Sequence, residues 1–160
     1  GLYPTPEGGY GWHTHQESAW PLLEHFLPAV EALERLLIQL QAGQPGLLAA
    51  EYSRPSLLGF SQGAAMAYSY ALLHPERVDR LAGLAGFMPE GAETIILKQP
   101  LRGKTVFVGH GSLDERVPVA RARKAVDLLQ VAGAQVIYCE DEIGHKLSAS
   151  CFRGLGAYFS

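Results

Sequence analysis

The chain has 160 residues, of which 48% are hydrophobic and 18% are charged, a composition that fits one folded domain with its own core. It excludes a disordered chain, and because no window approaches the ~18 consecutive apolar residues of a membrane span, stable membrane insertion is not expected. The formal net charge of −3 and the scattered basic residues exclude the positive field typical of nucleic-acid-binding proteins.

The cysteine content sets an expectation for the compartment. Cys139 and Cys151 are the only cysteines, and they have neither CxxC nor metal-ligand spacing. A disulfide framework and a structural zinc are therefore disfavoured, and a reducing compartment is expected. The N-terminal sequence lacks the basic and apolar regions of a secretory signal. We therefore expect a cytoplasmic protein without a metal site.

The first part of the chain divides into two segments. Residues 1–16 are rich in proline and glycine, which predicts an irregular segment that packs against something outside itself. From Glu17 onward, apolar residues recur at intervals of three and four, which predicts a helix that ends near Gly43. Pro28 lies inside this pattern and predicts either a kink or a fresh helix start.

The rest of the chain alternates apolar runs with helical patterns. Strands are predicted at 55–60, 78–87, 105–109 and 134–139, and helices at 63–74, 119–132 and 147–159. Strands that are apolar throughout and separated by helices indicate a parallel sheet with helices on both faces. Since no repeat or linker is visible, we predict a single α/β domain over residues 1–160.

Residues 59–63, Gly-Phe-Ser-Gln-Gly, match the G-x-S-x-G pattern of a nucleophile elbow. The pattern is a weak signal alone, but here it begins where a predicted strand ends and continues directly into a helix of small residues. Such a turn exposes the serine oxygen, while the glycines remove side chains that would clash. The alternative is an ordinary strand-to-helix turn in which Ser61 caps the helix.

A serine nucleophile requires a histidine base and an acid that orients it, in the chain order Ser, acid, His for this type of elbow. Asp114 follows the strand at 105–109, and His145 follows the strand at 134–139. Both lie at carboxyl ends of parallel strands, the edge where sites form in open sheets. The sequence therefore predicts Ser61, Asp114 and His145 as a catalytic triad.

Each of the two partner roles has rivals. Glu115, Asp141 and Glu142 are alternative acids, but Asp114 is preferred because its loop follows a separate strand, as the triad order requires. His74 and His110 are alternative bases. His74 precedes a proline at a helix end and is interpreted as a cap, while His110 comes before the acid in the chain.

Phe87 and Met88 are candidate substrate-binding residues because they directly follow the second predicted strand of the sheet. In that position they would line an apolar acyl pocket beside the serine. Simple core packing explains the same two residues equally well.

Four segments together resemble one known family. They are GFSQGAAMA, HGSLDERVP, the later Gly-His pair, and the Gly-Gly-Tyr-x-Trp stretch at 8–12. Over nearly the whole chain they resemble the phospholipase/carboxylesterase family of α/β-hydrolases, which includes the acyl-protein thioesterases. The resemblance implies Ser61 as nucleophile, Asp114 and His145 as its partners, and the Gln62 amide as an oxyanion donor. It also implies no metal or organic cofactor, with esters, lysophospholipids or thioesters as substrates.

The chain departs from that family at its start. Members carry, before the Gly-Gly-Tyr stretch, the first strands of the sheet and a His-Gly-rich loop that supplies a second oxyanion donor. A missing N-terminal segment, another chain or a homo-oligomer is expected to complete the sheet. Since the elbow strand is apolar and lacks protective charges, we predict that residues 56–59 are hydrogen-bonded on both sides.

These observations favour a serine carboxylesterase that acts on small carboxylic esters through an acyl-enzyme at Ser61. An acyl-protein thioesterase or a lysophospholipase is the alternative with the same chemistry. The alternative of another class is a non-catalytic fragment or subunit of an α/β-hydrolase. No nucleic-acid partner is expected.

Overall fold

The computed structural model describes residues 1–6, 8–14, 20–42 and 54–160. Its elements in chain order are β1 (Tyr3–Pro4), β2 (Tyr10–Gly11), α1 (Leu23–Gln41), β3 (Leu57–Phe60), α2 (Gln62–Leu73), a 3₁₀ turn (Pro75–Arg77), β4 (Leu81–Leu84), α3 (Glu93–Ile96), β5 (Thr105–Gly111), α4 (Val119–Val131), β6 (Gln135–Asp141) and α5 (Ala149–Phe159). The predicted start of the first helix at Glu17 and its end at Gly43 lie outside the described residues.

The predicted α/β class and the parallel sheet are confirmed. β3, β4, β5 and β6 pair in that order, each parallel to the next. Because side chains alternate along a strand, Val106 and Val108 of β5 face the large core formed with α1, α2 and α4, while Phe107 faces a smaller core formed with α5. Helices therefore cover both faces of the sheet.

Three details of the predicted elements are corrected. The first helix does not restart at Pro28, because α1 runs from Leu23 to Gln41 with Pro28 inside it. The second strand is only β4, shorter than the predicted 78–87, because the chain turns away after Leu84. The short helix α3 was not predicted, since four residues are too few for a periodic pattern.

The N-terminal segment is irregular apart from the β1–β2 ladder, in which Tyr3 lies opposite Gly11. It packs against the rest of the protein, as predicted. The Trp12 side chain contacts the main core, and its backbone N–H donates to the side-chain oxygen of Gln62 at 2.5 Å. This segment thereby rests on the first turn of α2.

The sequence disfavours a disulfide framework, but the structure contains a disulfide. Cys139 of β6 and Cys151 in the first turn of α5 form a disulfide, with their Cα atoms 5.6 Å apart. Strand alternation turns Cys139 toward the face that α5 covers, so two residues 12 apart in sequence meet in space. A cytoplasmic location stays a prediction, and the disulfide weighs against it because such bonds persist in oxidising compartments.

The prediction that the elbow strand is hydrogen-bonded on both sides is wrong for the described part of the chain. β3 lies at the edge of the sheet and pairs there only with β4. Leu58 is 52% exposed and Phe60 is 44% exposed. The prediction fails because the described residues supply no strand on the outer side of β3. Within the same residues, no helix is both long and apolar enough to cross a lipid bilayer.

Candidate active site

Ser61 occupies the turn between β3, which ends at Phe60, and α2, which begins at Gln62. Its backbone has φ 55° and ψ −120°, a conformation that residues other than glycine adopt at a cost of about 1–3 kcal/mol. The Ser61 N–H donates to the carbonyl of Leu84 at 2.8 Å and ties the turn to β4. The serine is partly exposed in this strained turn, which follows the carboxyl end of β3.

Gly59 makes this turn sterically feasible. A Cβ atom added to Gly59 would overlap the backbone carbonyl of Gly63 in the first turn of α2. The close approach of strand and helix therefore requires glycine here, as the G-x-S-x-G pattern predicts.

Asp114 lies in the loop after β5 and is buried, with 7% of its surface exposed. Its Oδ1 accepts hydrogen bonds from the backbone N–H groups of Arg116 and Val117, both at 2.9 Å. Burial raises the pKa of Asp114, but hydrogen bonds from the Val117 amide, His145 and the Arg116 amide outweigh burial and leave that pKa below its usual value. The group is thus held as a carboxylate with Oδ2 free for a further partner.

That partner is His145, in the loop between β6 and α5. Its Nδ1 donates to Asp114 Oδ2 at 2.7 Å, and its side chain is 16% exposed. Because the proton in this bond lies on Nδ1, the other ring nitrogen, Nε2, is left as the basic atom. The two loops are also joined by their backbones, since Leu113 N–H donates to the Ile143 carbonyl at 3.0 Å.

Phe60, the residue before Ser61, contacts the catalytic histidine candidate His145. The Phe60 ring lies edge-on to the His145 ring, with centroids 5.0 Å apart. Within the described residues, no hydrogen bond joins the Ser61 hydroxyl to His145. Catalytic hydrogen bonds are often long before substrate binds. The structure therefore joins Asp114 to His145, and it connects Ser61 to the pair only through its neighbour Phe60.

The rival bases occupy other environments. His74 is the C-terminal cap of α2 and packs against Tyr70 with ring centroids 5.1 Å apart, in agreement with its interpretation as a cap. The His110 side chain is fully buried, and its Nε2 bonds to the Val117 carbonyl at 2.8 Å. Among the hydrogen bonds of the described residues, neither imidazole bonds to the elbow, whereas the His145 ring contacts Phe60 of the elbow, which favours His145.

The rival acids are exposed or engaged elsewhere. Glu115 and Glu142 are exposed. The Asp141 carboxylate accepts hydrogen bonds from the hydroxyls of Ser148 and Ser150, and these lower its pKa. None of the three contacts His145 among the hydrogen bonds and ion pairs of the described residues.

Gln62 is the first residue of α2, so its backbone N–H belongs to the helix turn whose amides have no helical acceptor. Its side chain turns away to accept the Trp12 N–H. Sequence reasoning did not find this contact, because the two residues are 50 apart along the chain. The amide of Gln62 fits the expected oxyanion donor, and that role stays a prediction.

Phe87 and Met88 are each 5% exposed and belong to the main core. Phe87 packs edge-on against Trp20 with ring centroids 4.8 Å apart. These contacts favour core packing, and a substrate-binding role stays a prediction.

A cavity of about 340 Å³ borders His145 and was not foreseen from the sequence. It is lined by Leu113, Glu115, Arg116, Gly144 and His145. Its walls come from the loops after β5 and β6, which only the fold brings together.

One cluster among the described residues has metal-ligating atoms in reach of one another: Cys139, Asp141 and Cys151. Both sulfurs are consumed in the disulfide, so they are not the thiolates that bind metals. The cluster does not fit a metal centre while that bond is intact.

Comparisons with known proteins place this geometry in context. A protein of Oryza sativa subsp. japonica, named as a probable inactive carboxylesterase, is 29% identical over 96 residues, which cover 57% of this chain and 38% of that protein. The chain therefore spans well under half the length of this curated relative.

Solved structures establish the α/β-hydrolase fold. A carboxylesterase from Mesorhizobium loti is 22% identical with a TM-score of 0.76, and the match covers 99% of this chain and 72% of that one. Zea mays acyl-protein thioesterase 2 is 19% identical with a TM-score of 0.65, covering 93% and 71%. The model of the Phospholipase/Carboxylesterase family matches residues 24–154, which include every predicted triad residue. The chain therefore belongs to the phospholipase/carboxylesterase family.

Proposed function

We propose that this chain is a serine carboxylesterase that hydrolyses short-chain carboxylic esters through an acyl-enzyme at Ser61. The observation that carries the proposal is the 2.7 Å hydrogen bond between Asp114 and His145, at the sheet edge where Ser61 occupies a strained turn. Family membership supports an ester or thioester hydrolase, and the site supplies the residues for serine chemistry.

The proposed reaction has two halves. Ser61 Oγ attacks the ester carbonyl carbon while His145 Nε2 takes the hydroxyl proton, and the Gln62 N–H binds the developing oxyanion. Collapse of the tetrahedral intermediate breaks the C–O bond, and His145 returns the proton to the departing alcohol. Water then attacks the acyl-enzyme by the same route and releases the acid and free Ser61. Asp114 holds the imidazole tautomer and stabilises the imidazolium throughout.

The cavity beside His145 favours a small substrate. Two of its lining residues, Glu115 and Arg116, are charged. A long acyl chain placed there would strip water from both charges, which is unfavourable. A short ester is therefore preferred over a long thioester or a lysophospholipid.

The second candidate is a non-catalytic member of the family. It is favoured by the absence, in the described residues, of a Ser61–His145 hydrogen bond, and by the name of the rice relative.

One experiment decides between the candidates. The purified protein is treated with a fluorophosphonate probe, and the labelled residue is located by peptide mass spectrometry. We expect labelling at Ser61 and hydrolysis of p-nitrophenyl acetate, both abolished in Ser61→Ala. Ser56→Ala is the matched control, because Ser56 is an exposed serine just before the same strand. Absence of labelling in the intact protein would establish the non-catalytic candidate. A higher kcat/KM for a palmitoyl thioester than for the acetate would reassign the substrate.

A further inference from the structure

His110 lies at the carboxyl end of β5, opposite Glu140 of β6, and no step of the proposed reaction uses it. Its side chain is completely buried. Its Nε2 lies 2.8 Å from the Val117 carbonyl oxygen, and its Nδ1 is buried without a hydrogen-bond partner among the described residues. Since a carbonyl only accepts, the proton must lie on Nε2.

Val117 is the residue through which His110 reaches the acid. The Val117 carbonyl accepts from His110, while the Val117 N–H donates to Asp114 Oδ1 at 2.9 Å. Val117 is therefore fixed at both of its backbone groups, one toward the sheet and one toward the acid. The backbone of His110 is itself fixed, because it is paired with β6 in the β5–β6 ladder. His110 can therefore hold Val117 in place.

The same geometry directs the second carboxylate oxygen to His145. His110 Nε2 is 3.5 Å from Asp114 Oδ2, whereas His145 Nδ1 is 2.7 Å away. Because the His110 proton points to the nearer Val117 carbonyl, it does not compete for Oδ2. The Oδ1 atom is held by two amides, so the carboxylate cannot rotate away from His145.

We propose that His110 is a positioning residue, whose Nε2–H anchors Val117 and thereby holds Asp114 in the orientation that binds His145. The role rests on the proposed function, because it acts through the Asp114–His145 pair of that reaction. His110 touches neither the serine nor the substrate site.

Three variants separate this role from simple core filling. His110→Gln places an N–H donor near the position of Nε2 and keeps the bond to Val117. His110→Asn is the matched control, because its donor lies nearer to the position of Nδ1. His110→Leu removes the donor and keeps the apolar volume. Thermal unfolding identifies which variants are folded, and if the leucine variant does not fold, the Gln and Asn pair decides.

The first measurement is the low-field proton resonance of His145 Nδ1–H in its bond to Asp114, which does not depend on turnover. We expect it in the wild type and in His110→Gln, and its loss in His110→Asn and His110→Leu. Persistence in all folded variants, loss in the Gln variant, or absence from the wild type would overturn the proposal.

The second measurement is the rate of fluorophosphonate labelling at Ser61. We expect the Gln variant to react within about threefold of wild type, and the Asn and Leu variants to react up to about a hundredfold slower, the loss that a 1 Å misplacement of a catalytic group can cause. If the wild type is not labelled but the resonances behave as expected, the proposed function fails while the positioning role stands. Equal labelling rates in all folded variants would overturn the positioning role.

Discussion

Ser61 shows how a strained residue is held in place by its surroundings. Its positive-φ backbone is unfavourable, but the hydrogen bond to Leu84 and the close approach of Gly59 to Gly63 hold the turn in this conformation. The strain is compensated by packing between β3, β4 and α2. A substitution that separates these elements should therefore disturb the Ser61 backbone more than it disturbs Asp114 and His145.

Gly59→Ala tests this dependence. The added methyl group would overlap backbone atoms that cannot rotate away, so we expect a loss of about 3 kcal/mol in the free energy of unfolding. Gly156→Ala is the matched control, because a Cβ at this position of α5 meets nothing within 4 Å. Alanine there should be neutral or stabilise the helix by up to about 1 kcal/mol. Urea unfolding of both variants measures the difference, and equal effects would contradict the steric account.

The three candidate triad residues could be predicted from the sequence because of their order along the chain and because each lies just after a predicted strand. Ser61, Asp114 and His145 each follow an apolar run, and a parallel sheet brings such ends to one edge. The anchoring of Val117 by His110 could not be predicted, since it depends on which way a loop folds back. The contact between Trp12 and Gln62 could not be predicted either, because it depends on how the N-terminal segment folds back onto α2.

At the scale of elements, the pairing of β5 with β6 assembles the site. Gly111 lies opposite Asp141 at the end of this ladder, so the loops with Asp114 and His145 leave the sheet side by side. The parallel class was predictable from the alternation of apolar runs and helices. The shortness of β4 and the presence of α3 were not, because tertiary contacts decide where such short segments end.

The disulfide closes the loop that carries His145, since Cys139 precedes this loop in β6 and Cys151 follows it in α5. From a sequence separation of 12, loop-closure entropy gives a stabilisation of about 3 kcal/mol. We expect a reductant to lower the urea midpoint of the wild type accordingly. The double variant Cys139→Ala/Cys151→Ala should start at that lower midpoint and show no response to reductant. A wild type that is indifferent to reductant would contradict a stabilising role.

At the scale of the whole molecule, helices cover both faces of the sheet, and among the described residues β3 and β6 are its two edge strands. β4 is completely buried, whereas β3 exposes large apolar side chains. The described residues contain the candidate triad, and β3 lies at one border of their sheet, paired there only with β4.

An apolar edge strand that is paired on one side only is prone to pair with another chain, so we predict that the protein self-associates through β3. Leu58→Lys places a charge on this edge at a side chain that is already 52% exposed, and it should weaken association about tenfold, which corresponds to 1.4 kcal/mol. Leu97→Lys introduces the same charge at a 72% exposed leucine beside α3, away from the edge, and should associate like the wild type. Sedimentation over a range of protein concentrations measures the average mass of each. If Leu58→Lys and the wild type associate equally, the contact does not use β3. If the wild type and Leu58→Lys both stay monomeric at every concentration, the β3 edge does not mediate association, and the exposed Leu58 and Phe60 side chains are tolerated in water.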